Sequence, residues 1–325
     1  MLRRDLMLAA GALPCGLLSA PAAVATETAF PSKPVRIVVP QTPGGASDVL
    51  ARIVGQKLGE KWGQPVIIEN RAGAGGNVGM EAVATAPADG HVLLMSYVGT
   101  QAINGALYPK LPFDPVADFA PVAILATLPF VLVTRADAPW RSVPELIEVA
   151  GRERVTYGSA GNGSVNHLLG EMFNTAAHRQ LVHIPYRGAA PALQGLMGGQ
   201  IDLVFASLPS VAAMLRAGTL RAVAVTSARR AAAFPEIATV AEAGLRDFDV
   251  NPWFGLMAPK RTPAETVRRL NADVNEVLRN REIVASFSAQ GAEPAPTSPE
   301  AFGQRLRTDA VTWSAVVRRS GARVD

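Results

Sequence analysis

Cysteine is almost missing from this 325-residue sequence: its single copy, Cys15, lies in the opening segment. Past that point no disulfide, thiolate metal site or thiol nucleophile is available, so a buried core must supply the stability. Aromatic residues are scarce at 6%, and the 31 Lys+Arg set against 27 Asp+Glu never gather into a basic block. A chain without stacking rings or a cationic stripe has no footprint for nucleic acid. The four histidines, His91, His167, His178 and His183, form neither an H-E-x-x-H nor an H-x-H pair, which removes the common metal-site patterns. What is present, 49% hydrophobic and 18% charged residues with 29 Gly and 25 Pro, describes a globular chain of about two domains.

Residues 1–25 read as an export signal. Arg3 and Arg4 precede an apolar run from Leu6 to Leu18, and Ala23-Val24-Ala25 supplies an A-x-A cleavage pattern. The run, broken by Gly11, Pro14 and Gly16, falls short of the ~20 apolar residues a spanning helix needs, and no comparable stretch follows. The paired arginines leave the twin-arginine route open beside the general one. Lipid attachment at Cys15 is disfavoured by Pro14, which takes the place of the required small residue. Without this signal 29 basic and 26 acidic side chains remain, a slightly basic surface.

The body alternates short Val/Ile/Leu runs with amphipathic stretches, the pattern of βαβ units and a parallel sheet. Strands are expected at Val35-Pro40, Val66-Asn70, His91-Tyr97, Phe130-Thr134, Val155-Ser159, Leu181-Tyr186, Leu203-Ser207 and Arg221-Ser227. Helices are expected at Ser47-Trp62, with Ser47 as N-cap, and at Val78-Ala86, Ser164-Ala177 and Ala189-Met197. After Pro259 only helical periodicity is seen, over Pro263-Arg279, Glu282-Ala289 and Pro299-Arg319. The proline-rich segment Pro109-Pro121 and the stretch Arg229-Pro235 are the candidate crossovers. They imply a discontinuous first domain, 31–126 with 228–325, and a second domain, 127–227.

Two glycine-rich turns carry the candidate chemistry. Pro40-Gln41-Thr42-Pro43-Gly44-Gly45-Ala46-Ser47-Asp48 joins a strand end to a helix start, and Tyr157-Gly158-Ser159-Ala160-Gly161-Asn162-Gly163-Ser164-Val165 repeats the design. Glycine lets backbone approach a ligand closely, and the first turn of a helix leaves its N–H groups unpaired at a partly positive end. Two such turns facing one cleft would hold acidic ligand groups without a cationic side chain. Both follow strand carboxyl ends, where ligands of open α/β sheets gather.

Sharper readings fail on residue type. Gly158 and Gly163 have P-loop spacing, but Ser164 stands where a lysine is required. Gly73-Ala74-Gly75-Gly76-Asn77-Val78-Gly79 has G-x-G-x-x-x-G rather than dinucleotide spacing, so these glycines are read as turn and packing residues. No G-x-S-x-G elbow occurs. An exported serine hydrolase using Ser164 or Ser159 with His167 is the alternative from another class, and an exported dinucleotide oxidoreductase at Gly73-Gly79 is a third. His167 and Glu171 stand i,i+4 on one helix face, as a structural pair would. Asp48 is either a favourable first-turn charge or a group that orients a bound water or amine.

The ordered set of motifs resembles the extracytoplasmic solute receptors of tripartite tricarboxylate transporters, the Bug family. It comprises Pro31-Ser32-Lys33-Pro34-Val35-Arg36-Ile37-Val38-Val39-Pro40, Pro43-Gly44-Gly45 with Asp48, Glu69-Asn70-Arg71-Ala72-Gly73-Ala74-Gly75-Gly76 and Ala86-Pro87-Ala88-Asp89-Gly90. Tyr157-Gly158-Ser159, Gly161-Asn162-Gly163-Ser164 with His167 and Leu168, Pro185-Tyr186-Arg187-Gly188 and Gly199-Gln200-Ile201-Asp202 complete it. The resemblance implies an α/β, two-lobed periplasmic binding fold of the type II, Venus-flytrap kind with C-terminal helices, closing over a small carboxylate. It points to Gly44, Gly45, Ala46, Ser47 and Asp48 in one lobe as ligand-binding. In the other it points to Ser159, Gly161, Asn162, Gly163 and Ser164, with Phe205 and Ser207 as pocket wall. Gln41-Thr42 departs from the apolar residue that often precedes the Pro-Gly-Gly turn in the family. The implied partners are the ligand and the transporter's membrane subunits. The receptor is expected in the periplasm as a monomer without cofactor, metal or catalytic activity.

Overall fold

The computed structural model describes residues 30–324; the expected export segment 1–25, with Arg3, Arg4 and Cys15, lies outside them. In chain order the first elements are β1 (Val35–Val39), α1 (Ala46–Trp62), β2 (Val66–Asn70), α2 (Asn77–Ala84), β3 (Val92–Tyr97), α3 (Asn104–Leu107) and β4 (Phe119–Thr127). Next come β5 (Phe130–Arg135), α4 (Val143–Val149), β6 (Thr156–Ser159), α5 (Val165–Ala177), β7 (Val182–Pro185), α6 (Ala189–Met197), β8 (Leu203–Ser207), α7 (Leu208–Arg216) and β9 (Leu220–Val225). The chain finishes with β10 (Trp253–Pro259), α8 (Ala264–Leu278), α9 (Arg281–Ala289), β11 (Glu293–Pro294) and α10 (Pro299–Ser320).

Two sheets form, each the centre of a lobe. One has the order β11-β4-β10-β3-β1-β2, the other β7-β6-β8-β5-β9. The chain leaves the first at Leu128-Pro129 and returns through 226–252. β1 reads VRIVV and is covered on both faces, as a central parallel strand requires. Against it α1 buries Leu50, Ala51, Val54 and Leu58, residues at helical spacing. Gly63 ends α1 in the left-handed conformation, donating its N–H to the Gly59 carbonyl. β6, β7 and β8 repeat the parallel arrangement in the second sheet, over a core including Val204, Leu193 and Leu196.

The expected parallel sheet is corrected to two mixed ones. β10 runs antiparallel to both β3 and β4, and β5 runs antiparallel to β8 and β9. β4, β10 and β11 escape the sequence pattern because Pro121, Gly255 and Pro294 interrupt it. Pro121 is accommodated beside a register shift between Leu256 and Met257, where a missing donor does least harm. A Cβ at Gly255 would meet the Ala123 carbonyl at 2.8 Å and the Phe302 ring at 2.8 Å, so glycine lets α10 close on the sheet. There Phe302 packs edge-on to Trp253, whose indole donates to Asp309 at 2.7 Å. The region past Pro259 is therefore not purely helical, since β11 pairs with β4. Among the described residues no helix is long and apolar enough to cross a membrane.

Candidate functional site

A cleft of ≈ 340 Å³ opens between the sheets. The junctions that follow β1, β2 and β3 line it from one sheet, at 40–46, 72–76 and 97–108. The junctions after β6, β7 and β8 line it from the other, at 160–166, 187–189 and 207–210. Parallel strands deliver their carboxyl ends, and the helix beginnings that follow, to one side. The cleft therefore receives the N-terminal ends of α1, α5, α6 and α7, through Ala46, Val165, Ala189 and the turn at Ser207–Ser210. First-turn N–H groups lack partners within their helices, and each end carries a partial positive charge. No aspartate or glutamate faces the cleft among the described residues, and Arg187 is the one charged side chain that does.

The first turn is held by a hydrogen-bond network centred on the buried Asp48. Asp48 Oδ2 accepts the Gly44 N–H at 3.0 Å and Arg52 Nε at 3.1 Å, while Oδ1 accepts Asn70 Nδ2 at 3.0 Å and Arg52 Nη2 at 2.9 Å. Asn70 Nδ2 also reaches the Gln41 carbonyl at 3.1 Å. Burial works to raise the Asp48 pKa, but the hydrogen bonds from Arg52, Gly44 and Asn70 outweigh it and hold the carboxyl below its ordinary value. With its acceptor positions filled, Asp48 ties the turn and does not point into the cleft. That is the sensible place for a carboxylate beside an anion site.

Local hydrogen bonds shape the second turn. Ser164 caps α5, accepting the His167 N–H at 3.3 Å and donating its proton to the Gly161 carbonyl at 2.7 Å. Ser159 Oγ accepts the Gly161 N–H at 3.0 Å, with the Gly161 carbonyl at 3.1 Å and His183 Nε2 at 2.6 Å as its other neighbours. A hydroxyl has one proton, so both serines spend theirs inside the fold. His167 Nδ1 accepts the Gly163 N–H at 3.0 Å, which requires a neutral imidazole at that atom. Its ring stacks on His183 at 3.8 Å between centroids. Burial lowers the His167 pKa against the opposing pull of Glu171, and burial together with His167 takes His183 down to about 4. His167 and Glu171, 3.8 Å apart, are thus not an ion pair at neutral pH; the Glu171 carboxylate instead accepts the Tyr157 hydroxyl at 2.6 Å. Burial and that carboxylate push the phenol far above its usual range.

Of the residues expected to bind ligand, the cleft wall holds Gly45, Ala46, Asn162, Gly163, Ser164 and Ser207. Ser47, Asp48 and Ser159 are buried behind that wall, and Gly44 and Gly161 lie outside its lining. Ser47 is not the N-cap: α1 begins at Ala46 with Gly45 in the capping position, and the Ser47 hydroxyl is buried without a partner. Phe205 faces the core, fully buried against Tyr157 and Phe173, because alternate residues of β8 point to opposite faces and its neighbour Ala206 faces the other. Ser164 Oγ lies against the Gly161 carbonyl and the His167 main chain, and the imidazole nitrogens of His167 face Gly163 and Glu171. The Ser164–His167 pair of the hydrolase alternative is therefore not assembled.

Several cleft residues lie outside the set expected from sequence. Gly73, Gly75 and Gly76, expected as turn and packing glycines, both pack and, with Ala72 and Ala74, line the wall: a Cβ at Gly76 would meet the Pro40 carbonyl at 3.1 Å. Tyr97, Tyr108, Phe130 and Phe254 add an apolar side, with Tyr97 stacked on Phe254 at 5.8 Å. Burial pushes the Tyr97 phenol up to about 12, although the Gln41 side chain bonds to it, so it faces the cleft neutral. Arg187 sits inside the Pro-Tyr-Arg-Gly motif; a strand end followed by glycine was the available signal.

The sequence profile of a family described as "Tripartite tricarboxylate transporter family receptor" matches residues 50–321. The chain is similar to BugT of Bordetella pertussis, 36% identical over 306 residues that cover 93% of this chain and 94% of BugT. Its fold is similar to that of Rpa4515 of R. palustris, solved with adipate, at a TM-score of 0.86 and 35% identity over 90% of this chain and 99% of the other. It is also similar to the periplasmic binding protein BugD, at a TM-score of 0.83 and 31% identity over 90% and 99% of the two chains.

Proposed function

The chain belongs to the tripartite tricarboxylate transporter family of solute receptors, and from that premise we propose that it captures a small mono- or dicarboxylate in the interlobe cleft and delivers it to membrane subunits of such a transporter. The observation that carries this reading is the electrostatics of the cleft: helix beginnings converge from both sheets, and no acidic side chain meets them among the described residues. Each helix end stabilises a nearby anion by about 0.3–1 kcal/mol at an exposed site, and by up to ~2 kcal/mol where partly buried. Ends from both lobes reach one anion only when the cleft is shut, so the ligand favours the closed form by its differential contacts.

On this reading the first lobe comprises 31–126 with 228–325 and the second 127–227. Gly45, Ala46, Asn162, Gly163, Ser164 and Ser207 touch the ligand. Gly44, Ser47, Asp48, Ser159 and Gly161 keep the two turns in shape, and no reaction is catalysed. The receptor is exported through residues 1–25 to the periplasm and works there as a monomer. Titration calorimetry against a carboxylate panel, with small-angle scattering to register compaction, tests the proposal; a protein that binds no small acid removes it. A Ser164→Ala variant separates the hydrolase alternative, which requires turnover in the wild type and its loss in the variant.

A further inference from the structure

Arg187 has no ion-pair or hydrogen-bond partner for its side chain among the described residues, although it lines a cleft that holds no carboxylate of its own. Its position is set by the sheet. β7 is an edge strand paired in parallel with β6, and their register puts Pro185 opposite Ser159. The pairing continues just past the strand ends, with the Tyr186 N–H on the Ser159 carbonyl at 3.1 Å and the Tyr186 carbonyl 3.4 Å from where a Cβ on Gly161 would lie, so Arg187 follows directly beside Gly161 of the second turn. Gly188 follows at once as the N-cap of α6, so the backbone turns there and leaves Arg187 exposed at the cleft margin.

We propose that Arg187 is the specificity-determining residue of the cleft: it grips a second carboxylate at the outer end of the ligand and makes the receptor selective for dianions over monoanions. This rests on the carboxylate-receptor reading above and adds to it a residue and a charge requirement. The two turns offer main-chain donors for one acid group. A guanidinium presents paired N–H donors matched to the two oxygens of another. Its offset from the second turn, one strand spacing plus a flexible stem, suits diacids of roughly four to six carbons. A monoacid of the same length would leave the arginine unpaired and gain nothing from it.

The test is calorimetric titration of wild type and Arg187→Gln with succinate, glutarate and adipate, each beside its monomethyl ester, which keeps the length and removes one charge. Wild type is expected to prefer the best diacid over its half-ester by about ten- to hundredfold, the worth of a charged hydrogen-bond pair. Arg187→Gln should bring that ratio close to one by weakening the diacid far more than the half-ester, with no shift in melting temperature because the side chain is exposed. A variant that keeps the wild-type ratio, or that loses both ligands equally, overturns the assignment. Equal wild-type affinity for diacid and half-ester overturns it while leaving a carboxylate receptor intact. Failure of every acid to bind wild type overturns both.

Discussion

Replacing Gly163 with alanine tests whether the arrangement of the lobes seen here is the ligand-holding one. Gly163 belongs to the second turn, and across the cleft it meets Leu107 of α3, which follows a strand of the other sheet. A Cβ at Gly163 would lie 2.6 Å from Leu107 Cδ1 and 2.8 Å from Cγ, and closer still to Cδ2. Ordinary carbon contacts are about 3.5–4.0 Å, so the opposing elements must separate by roughly 1 Å. Overpacking of this kind costs about 1–3 kcal/mol. Gly163 also has φ of +72°, where alanine costs about 1–2 kcal/mol. That second penalty is local to the loop and burdens open and closed forms alike. Only the clash bears on closure, and it should weaken ligand affinity about five- to hundredfold. The strain should appear separately, as a drop of a few degrees in melting temperature. Calorimetric titration of Gly163→Ala, Leu107→Ala and the double variant closes a mutant cycle in which the leucine's own packing cancels. Because leucine truncation removes the atoms the new methyl would strike, the double variant should bind like Leu107→Ala alone. Wild-type affinity in Gly163→Ala, or no recovery in the double variant, would refute the reasoning.

Three further outcomes follow from the site. Asp48→Asn should destabilise the protein by about 1–3 kcal/mol by weakening the charge-assisted hydrogen bonds that the carboxylate accepts from Gly44, Arg52 and Asn70. Since the folded pKa of Asp48 lies below its ordinary value, its contribution is present above the unfolded pKa and fades as pH falls through the folded one. Melting curves from pH 6 down to pH 3 should therefore fall more steeply for wild type than for the variant, and parallel curves would count against the network. His183 is half-buried, and burial with the neighbouring His167 takes its pKa down to about 4 against 6.5 unfolded, so the unfolded chain binds more protons in that window and stability should decline on acidification through it. A flat profile there, or one unchanged in His183→Gln, contradicts this. Phe205→Ala should cost about 3–5 kcal/mol through a core cavity and change ligand affinity little; denaturant titration beside calorimetry would expose the opposite pattern.

Local chemistry made the strand-turn-helix junctions legible. Ser164 caps α5 as a serine before a helical run should, Gly63 and Gly321 end helices in the left-handed region, and Val35–Val39 is the doubly covered strand its composition suggests. The sequence leaves the role of Asp48 open, because a first-turn carboxylate looks the same whether it faces ligand or loop. Its partners Arg52 and Asn70 decide the matter, and Asn70 comes from the neighbouring strand. β4 and β10 were hidden because pairing tolerates Pro121 and Gly255 only at a register shift and under α10.

By itself the sequence determined where helices begin after glycine-rich strand ends, and hence that free amides and positive helix ends exist to receive an anion. Those features depend on neighbours within a few residues. Only the tertiary structure decided that junctions from both sheets share one cleft, that Phe205 turns inward and that Arg187 arrives beside Gly161 without a partner. Such juxtapositions depend on strand order and register, which are set by packing between segments far apart in the chain.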